Sequence, residues 1–226
     1  MTPQTAAHAA AEALRLHRPL LRGWLHVAAF VASIPIGIVL VAMAHGANDV
    51  TAAAIYAGSM ALSFGTSASY HRLARSPRAH AIMRRLDHSA IYLLIAGTYV
   101  PFCLVALPRR WGVPLLAAVC AAAVVGMVLK LAAFHRIPWL GYTLYPAMGW
   151  AALAATPALL DHLSSTELAL LVAGGVAYTV GFPVLLLKRP DPWPNVFGYH
   201  EVWHAFTVVA AGLHVAAVAS LLTGPA

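Results

Sequence analysis

The sequence predicts an all-α protein of the multi-pass membrane class, built as a bundle of seven transmembrane helices. Of its 226 residues, 61% are apolar and only 9% are charged, and the apolar residues occur in long runs. A helix needs about 20 mostly apolar residues to cross the hydrocarbon core of a bilayer. Seven such runs occur between polar breaks, and they leave little chain for a soluble domain.

The first three predicted spans each have a distinct character. Span 24–45 follows a basic tail, and its apolar stretch is longer than the core of a secretory signal peptide, so we expect a retained helix. Span 50–71 is rich in glycine and serine, which is typical of helices that pack closely in lipid. Span 88–107 contains Pro101, which a membrane helix tolerates as a kink.

The last four predicted spans complete the bundle. They cover residues 112–134, 139–160, 168–187 and 202–222. Pro146, Pro157 and Pro183 lie within them and predict further kinks. Residues 24–222 are therefore predicted to form a single seven-helix transmembrane domain, preceded by a short basic cytoplasmic tail at 1–23.

The basic residues sort to one side of the predicted bundle. Twelve of the fourteen fall before the first span or in the even-numbered connections, and only Arg109 and Arg110 fall on the other side. The twelve are Arg15, Arg18, Arg22, Arg72, Arg75, Arg78, Arg84, Arg85, Lys130, Arg136, Lys188 and Arg189. Basic residues in short loops stay cytoplasmic, so the amino terminus is predicted inside and the carboxyl terminus outside. The charge of +7 then reflects orientation in the membrane rather than a nucleic-acid partner.

Polar residues converge at the cytoplasmic ends of three predicted spans. Ionisable groups within a membrane are expensive and need partners, so a cluster of them indicates a functional site. The residues are Ser67 and His71 in the second span, Asp87 and His88 at the third, and His200 and His204 at the seventh. His88 points about 100° away from its neighbour Asp87, so only one of the two is expected to face the site. His214 lies deeper and is interpreted as an interior hydrogen-bonding residue.

The spacing of these residues favours a zinc site. Residues four apart share a helix face, so His200 and His204 can point together, as can Ser67 and His71. His71, His200 and His204 would supply the three protein ligands typical of catalytic zinc. Asp87 is then available to hold or deprotonate a water at the metal, and Ser67 to orient a ligand or the carboxylate. The alternative, in which these are separate hydrogen-bonded histidines near the membrane interface, stays open on spacing alone.

The run His200-Glu201-Val202-Trp203-His204 also matches the H-E-x-x-H pattern of zinc proteases. The extended protease pattern would require glycine at 207 and histidine at 210, where this chain has Thr207 and Ala210. No acidic residue follows Glu201 to serve as a later ligand. Bis-histidine haem ligation is also disfavoured, because two histidines one turn apart suit one small ion. An intramembrane metalloprotease is therefore the weaker interpretation.

The chain resembles the hemolysin III branch of the progestin and adipoQ receptor family. The resemblance runs from about Arg22 to about His214. It is carried by Ser67-Ala68-Ser69-Tyr70-His71, by the run from Arg85-Leu86-Asp87-His88 to Tyr99-Val100-Pro101-Phe102, and by His200-Glu201-Val202-Trp203-His204. It implies a seven-helix protein with a cytoplasmic amino terminus, in the inner membrane of a bacterium. It also implies that His71, His200 and His204 bind zinc, that Asp87 holds the zinc-bound water and that Ser67 supports the site.

The wider superfamily includes alkaline ceramidases, so the resemblance implies metal-dependent hydrolysis of lipid amides, with the water activated by zinc and the substrate entering from the bilayer. We expect a zinc-dependent hydrolase of lipid amide or ester bonds. The alternative is a non-enzymatic lipid sensor in which zinc is structural. A cytolytic pore, which the family name suggests, is disfavoured because the sequence offers no surface for a soluble state.

One departure from the family concerns its first motif, where Glu and Asn precede a histidine. Here the run is Leu20-Leu21-Arg22-Gly23-Trp24-Leu25-His26. His26 matches the histidine, but the acid and the amide are absent. The role of His26 is not predicted by the resemblance.

Overall fold

The computed structural model describes residues 18–134 and 136–224, and in these ranges the chain is α-helical without a β-strand. The eight α-helices are α1 (Trp24–Met43), α2 (Ala47–Leu73), α3 (Pro77–Pro101), α4 (Arg109–Ala132), α5 (Pro138–Gly149), α6 (Thr156–His162), α7 (Ser165–Leu187) and α8 (Tyr199–Thr223). A π-helical turn, Phe102–Ala106, continues α3, and a 3-10 helix, Trp150–Ala155, joins α5 to α6. The predicted all-α class is confirmed. Residues 1–17 of the predicted tail, including Arg15, lie outside the described residues.

Five helices of the described chain are long and apolar enough to cross a membrane. They are Trp24–Met43, Pro77–Ala106, Arg109–Ala132, Ser165–Leu187 and Tyr199–Thr223. The predicted second span falls on α2, whose hydropathy is lowered by serines, threonines and a histidine. The predicted fifth span falls on α5, the 3-10 helix and α6, and it is broken between Gly149 and Thr156. The chain is thus a multi-pass membrane protein in which two of the seven predicted spans depart from a plain apolar helix.

The third helix begins at Pro77, well before the predicted residue 88. Ser76 caps it by accepting a hydrogen bond from the Ala79 backbone N–H at 3.1 Å, and Pro77 occupies the first turn. Serine followed by proline is a helix start, since proline has no N–H to satisfy there. The arginines after Pro77, interpreted from sequence as a loop, are therefore helical. Asp87 consequently lies three turns into α3 rather than at its start.

Tyr99 of α3 forms hydrogen bonds with backbone groups at the break in the fifth span. Its hydroxyl donates to the Met148 carbonyl at 2.7 Å, with the Gly149 carbonyl at 3.0 Å, and it accepts from the Ala152 backbone N–H at 3.0 Å. Backbone groups in a bilayer must find partners inside the protein. A buried tyrosine thus allows an irregular segment to persist among the helices.

The helices that carry polar residues are neighbours. Helix α1 packs between α2 and α8, and α3 packs on the other side of α2. The end of α2 and the start of α8 therefore lie beside the start of α1. The outer surface is apolar, with valine, isoleucine and leucine side chains such as Ile38, Leu62 and Val128 more than half exposed, as expected for contact with lipid.

Candidate metal centre

Three histidines meet where α2 ends and α8 begins. His71 lies in the last turn of α2, and His200 and His204 lie in the first two turns of α8. Nitrogen atoms of the three rings all lie within 4.8 Å of one another, and His71 Nε2 is 3.1 Å from His200 Nε2. His71 and His204 are buried, and His200 is partly exposed. The structure thus brings together the three residues that spacing singled out.

The donor atoms of this histidine cluster fit a metal ion. Nδ1 of His204 is buried and has no hydrogen-bond partner among the described residues. A buried polar atom left unpaired costs free energy, so such an atom calls for an explanation such as an ion. Neutral imidazole is a preferred zinc ligand, and three protein ligands leave a fourth position for water. The cluster is therefore suited to hold zinc.

Ser67 and Asp87 lie on the helices next to the cluster. Ser67 is buried one turn before His71 on α2, and the Asp87 carboxyl group of α3 lies near it. The Asp87 side chain is 12% exposed. A carboxyl group of α3 thus faces the helix that carries His71.

His88 approaches its neighbour Asp87, with Nδ1 3.8 Å from Oδ2, but its closer partners lie elsewhere. Its Nδ1 lies 2.8 Å from the Arg84 carbonyl, and its Nε2 lies 3.4 Å from the Tyr142 hydroxyl. Tyr142 also stacks on the ammonium group of the buried Lys130, at 3.8 Å from the ring centre. His88 thus faces α4 and α5 rather than the histidine cluster.

His26 of α1 lines the site, although sequence reasoning gave it no role. It is buried, and its ring stacks on that of His204 with centres 3.6 Å apart and an angle of 9°. Its Nδ1 lies 2.7 Å from Ser67 Oγ, and its Nε2 lies 2.9 Å from Thr207 Oγ1. Both ring nitrogens are therefore occupied, so His26 is not a fourth ligand. The sequence signal that could have placed His26 at the site was its position near the start of the first span, at the depth of the other histidines.

Glu201 has a structural role, although it completes the H-E-x-x-H pattern. Its Oε2 accepts from the Gly198 backbone N–H at 2.9 Å, which caps α8. Its Oε1 forms an ion pair with Nε of Arg22. The side chain is 1% exposed. The Glu201 carboxylate is thus enclosed within the protein and paired with an arginine.

The segment Arg18–Gly23, here called the strap, crosses the same end of the bundle. Arg18 Nη1 donates to the His71 carbonyl at 3.2 Å, and the Leu20 and Leu21 backbone N–H groups donate to the carbonyls of Asn195 and Val196 at 3.0 Å. Gly23 has φ 81°, and a Cβ there would lie 2.5 Å from His71 Cβ. The positive φ and the close approach both require glycine. The strap therefore packs directly against the backbone of one candidate ligand.

The buried His214 confirms its interpretation as an interior hydrogen-bonding residue. Its Nε2 lies 3.2 Å from the Leu171 carbonyl of α7, and it packs against Gly174. It makes no contact with the histidine cluster in the described structure. It is a useful reference for what a buried histidine does when it is not part of the site.

Comparison with known proteins identifies a family that covers most of the chain. The family model described as "Haemolysin-III related" matches residues 14–215. "Hemolysin-3" of Bacillus cereus is 36% identical over 181 residues, which cover 79% of this chain and 80% of that protein. "Hemolysin-3 homolog" of Bacillus subtilis (strain 168) is 33% identical over 186 residues, covering 81% and 84%. "Heptahelical transmembrane protein ADIPOR2" of Oryza sativa subsp. japonica is 33% identical over 176 residues, covering 69% and 75%.

Proposed function

The chain belongs to the haemolysin-III-related family of membrane proteins, and from that premise we propose that it is a zinc-dependent hydrolase of lipid amide or ester bonds. The observation that carries the proposal is the meeting of His71, His200 and His204, with one buried nitrogen that has no partner in the described structure. Asp87 lies on α3, which packs against the helix of His71. Three histidines and an adjacent acid are the groups that zinc hydrolases use.

The proposed roles follow from the positions of the side chains. His71, His200 and His204 would hold the metal from two helix ends. Zinc, when bound, acidifies a water molecule and polarises a carbonyl group. Asp87 would accept the proton of the attacking water at a carboxylate oxygen, and Ser67 would support the site from α2. Burial of the cluster among α1, α2 and α8 keeps other water away from the reacting groups.

A lipid is the proposed substrate because the protein is embedded in lipid. The helices present an apolar surface to the bilayer, and the histidine cluster lies within the helical bundle rather than in a soluble domain. An amide or ester with acyl chains could reach the cluster from the membrane. Water-soluble substrates have no comparable apolar anchor.

The proposed topology has seven spans, with the amino terminus inside and the carboxyl terminus outside. The basic residues favour this orientation, and the name of the rice relative describes that protein as heptahelical. In this topology α2 and the broken unit α5–α6 also cross the membrane, residues 24–222 form one domain, and the tail 1–23 is cytoplasmic. The histidine cluster then lies near the cytoplasmic face of a bacterial inner membrane.

A second candidate function is a lipid sensor in which zinc is structural. The bracing around the cluster favours it, since His26 and the strap both fix the candidate ligands from outside. In that case zinc would tie the end of α2 to the start of α8, and Asp87 would be dispensable. A protease is disfavoured further, because the Glu201 carboxylate is engaged by Arg22 and Gly198.

The first experiment measures metal in the purified protein by elemental analysis after exposure to zinc. We expect one zinc per chain in the wild type and in H45A, whose exposed histidine lies at the other end of α1. H204A should lose the metal. Stoichiometric zinc in H204A, or none in the wild type, would contradict the proposed ligands.

The second experiment incubates the zinc-loaded protein with vesicles that contain ceramide, other N-acyl lipids or phospholipids, and measures released fatty acid by mass spectrometry. We expect release by the wild type and a loss of at least about 100-fold in D87N, which should retain zinc. Release by the wild type no greater than by H204A would reject the hydrolase and favour the sensor.

A further inference from the structure

His26 joins the two helices that supply the candidate ligands. It lies on α1, between Ser67 of α2 and Thr207 of α8, and it contacts both through ring nitrogens at 2.7 Å and 2.9 Å. Its side chain is 7% exposed. A buried histidine with both nitrogens engaged has a fixed orientation, because any rotation would break two hydrogen bonds.

The directions of these hydrogen bonds follow from proton counting. Thr207 donates its one hydroxyl proton to the His204 carbonyl at 2.8 Å, so it can only accept from His26. Nε2 of His26 is therefore the N–H donor. In the neutral ring Nδ1 then accepts, and its partner is the Ser67 hydroxyl. The Ser67 hydroxyl therefore donates its proton to His26, and His26 sets the direction of that hydroxyl group.

The ring of His26 also sets the plane of His204. The two rings lie 3.6 Å apart and almost parallel, and Phe64 packs edge-on against the other side of His26 at 5.1 Å. His204 therefore has its ring plane fixed by a stack while its Nδ1 lacks a hydrogen-bond partner in the described structure. The lone pair of a ring nitrogen lies in the ring plane, so the stack fixes the plane in which His204 can offer a nitrogen to a metal.

We propose that His26 is a positioning residue that raises the metal affinity of the site by orienting His204 and Ser67. This proposal rests on the proposed metal site. His26 itself touches neither the metal nor the substrate. Residues that orient ligands from outside typically contribute about 10-fold to 100-fold to metal affinity.

His214 provides a matched control. It is exposed to the same extent as His26, 7%, and it also makes a hydrogen bond, but its partner is the Leu171 carbonyl, away from the cluster. Replacement by glutamine removes the ring at either position and keeps a polar side chain. If the histidine ring affects zinc binding only through protein stability, H26Q and H214Q should therefore lose zinc affinity to the same extent.

The test titrates the metal-depleted protein in detergent with zinc against a fluorescent chelator, and with Co²⁺ by visible absorption. We expect the zinc Kd of H26Q to rise about 10-fold to 100-fold, with a changed Co²⁺ spectrum, and that of H214Q to match the wild type. T207V, which removes the acceptor for His26 at nearly constant volume, should weaken binding less than H26Q. It serves as the reporting variant if H26Q does not fold.

Unchanged zinc affinity and Co²⁺ spectra in H26Q and T207V would overturn the positioning role while leaving the metal site intact. Equal weakening in H214Q would assign the effect to general destabilisation and would overturn it as well. Wild-type protein that takes up no metal is a separate result, because it rejects the proposed metal site before any variant is compared.

Discussion

At the scale of single residues, Glu201 matches the glutamate of a protease motif but has a structural role in this fold. It stands between two candidate ligands, where a protease would use it to activate water. Here one carboxylate oxygen caps α8 at Gly198 and the other pairs with Arg22. The carboxylate therefore links the strap to the helix that supplies two histidines, and both of its oxygens are engaged within the protein.

We predict that E201Q lowers stability and preserves metal binding. The amide oxygen can still cap α8, but the pair with Arg22 is lost. Because Arg22 is 19% exposed and can recover some hydration, the expected loss is about 1–2 kcal/mol. Thermal unfolding in one detergent measures the loss, and zinc titration measures the site. A zinc-loaded E201Q without hydrolase activity would instead favour a catalytic glutamate.

The candidate site was partly predictable at this scale. The three candidate ligands could be predicted because His200 and His204 are four residues apart and His71 ends a predicted span at the same depth. The positions of His26 and Arg22 depend on which helices become neighbours, and local spacing holds no information about that. A histidine on α1 acquires its partners only when α1 packs between α2 and α8.

At the scale of helices, close packing depends on small residues at the contact between α2 and α3. A Cβ added at Gly97 of α3 would overlap Ser59 of α2. Helices in lipid associate through such contacts, because they have no hydrophobic driving force between them. The same contact holds the helix of Asp87 against the helix of Ser67 and His71.

G97A should therefore separate α2 from α3 and destabilise the protein by about 1–3 kcal/mol. G175A is the control, because a Cβ at Gly175 of α7 would meet no atom within 4 Å. Unfolding temperatures of both variants are compared in the same detergent. Equal temperatures would mean that the α2–α3 contact relaxes without penalty.

Helix prediction succeeded where the apolar runs were long. It lost accuracy where a helix start or a break depended on capping residues or on contacts with a distant helix. Arginines after Pro77 suggested a loop, although Ser76-Pro77 is a helix start and arginine is a good helix former. The break after Gly149 could not be foreseen, because the group that satisfies it, Tyr99, lies on a distant helix.

At the scale of the whole molecule, the proposed topology is tested by reporter fusions. Alkaline phosphatase is active only outside the cytoplasm, so we expect activity when it is fused after Leu163 or Gly224 and none after Lys188. A cytoplasm-active fluorescent protein should give the reverse pattern. Phosphatase activity after Lys188 would mean that the number of spans before it is not six.

The contacts between the strap and α8 join segments that are made far apart in time. A ribosome makes Arg18–Gly23 and α2 before α8, so His26 and His71 are synthesised without Thr207, His200 or His204 beside them. A chain truncated before α8 therefore cannot assemble the three-histidine cluster.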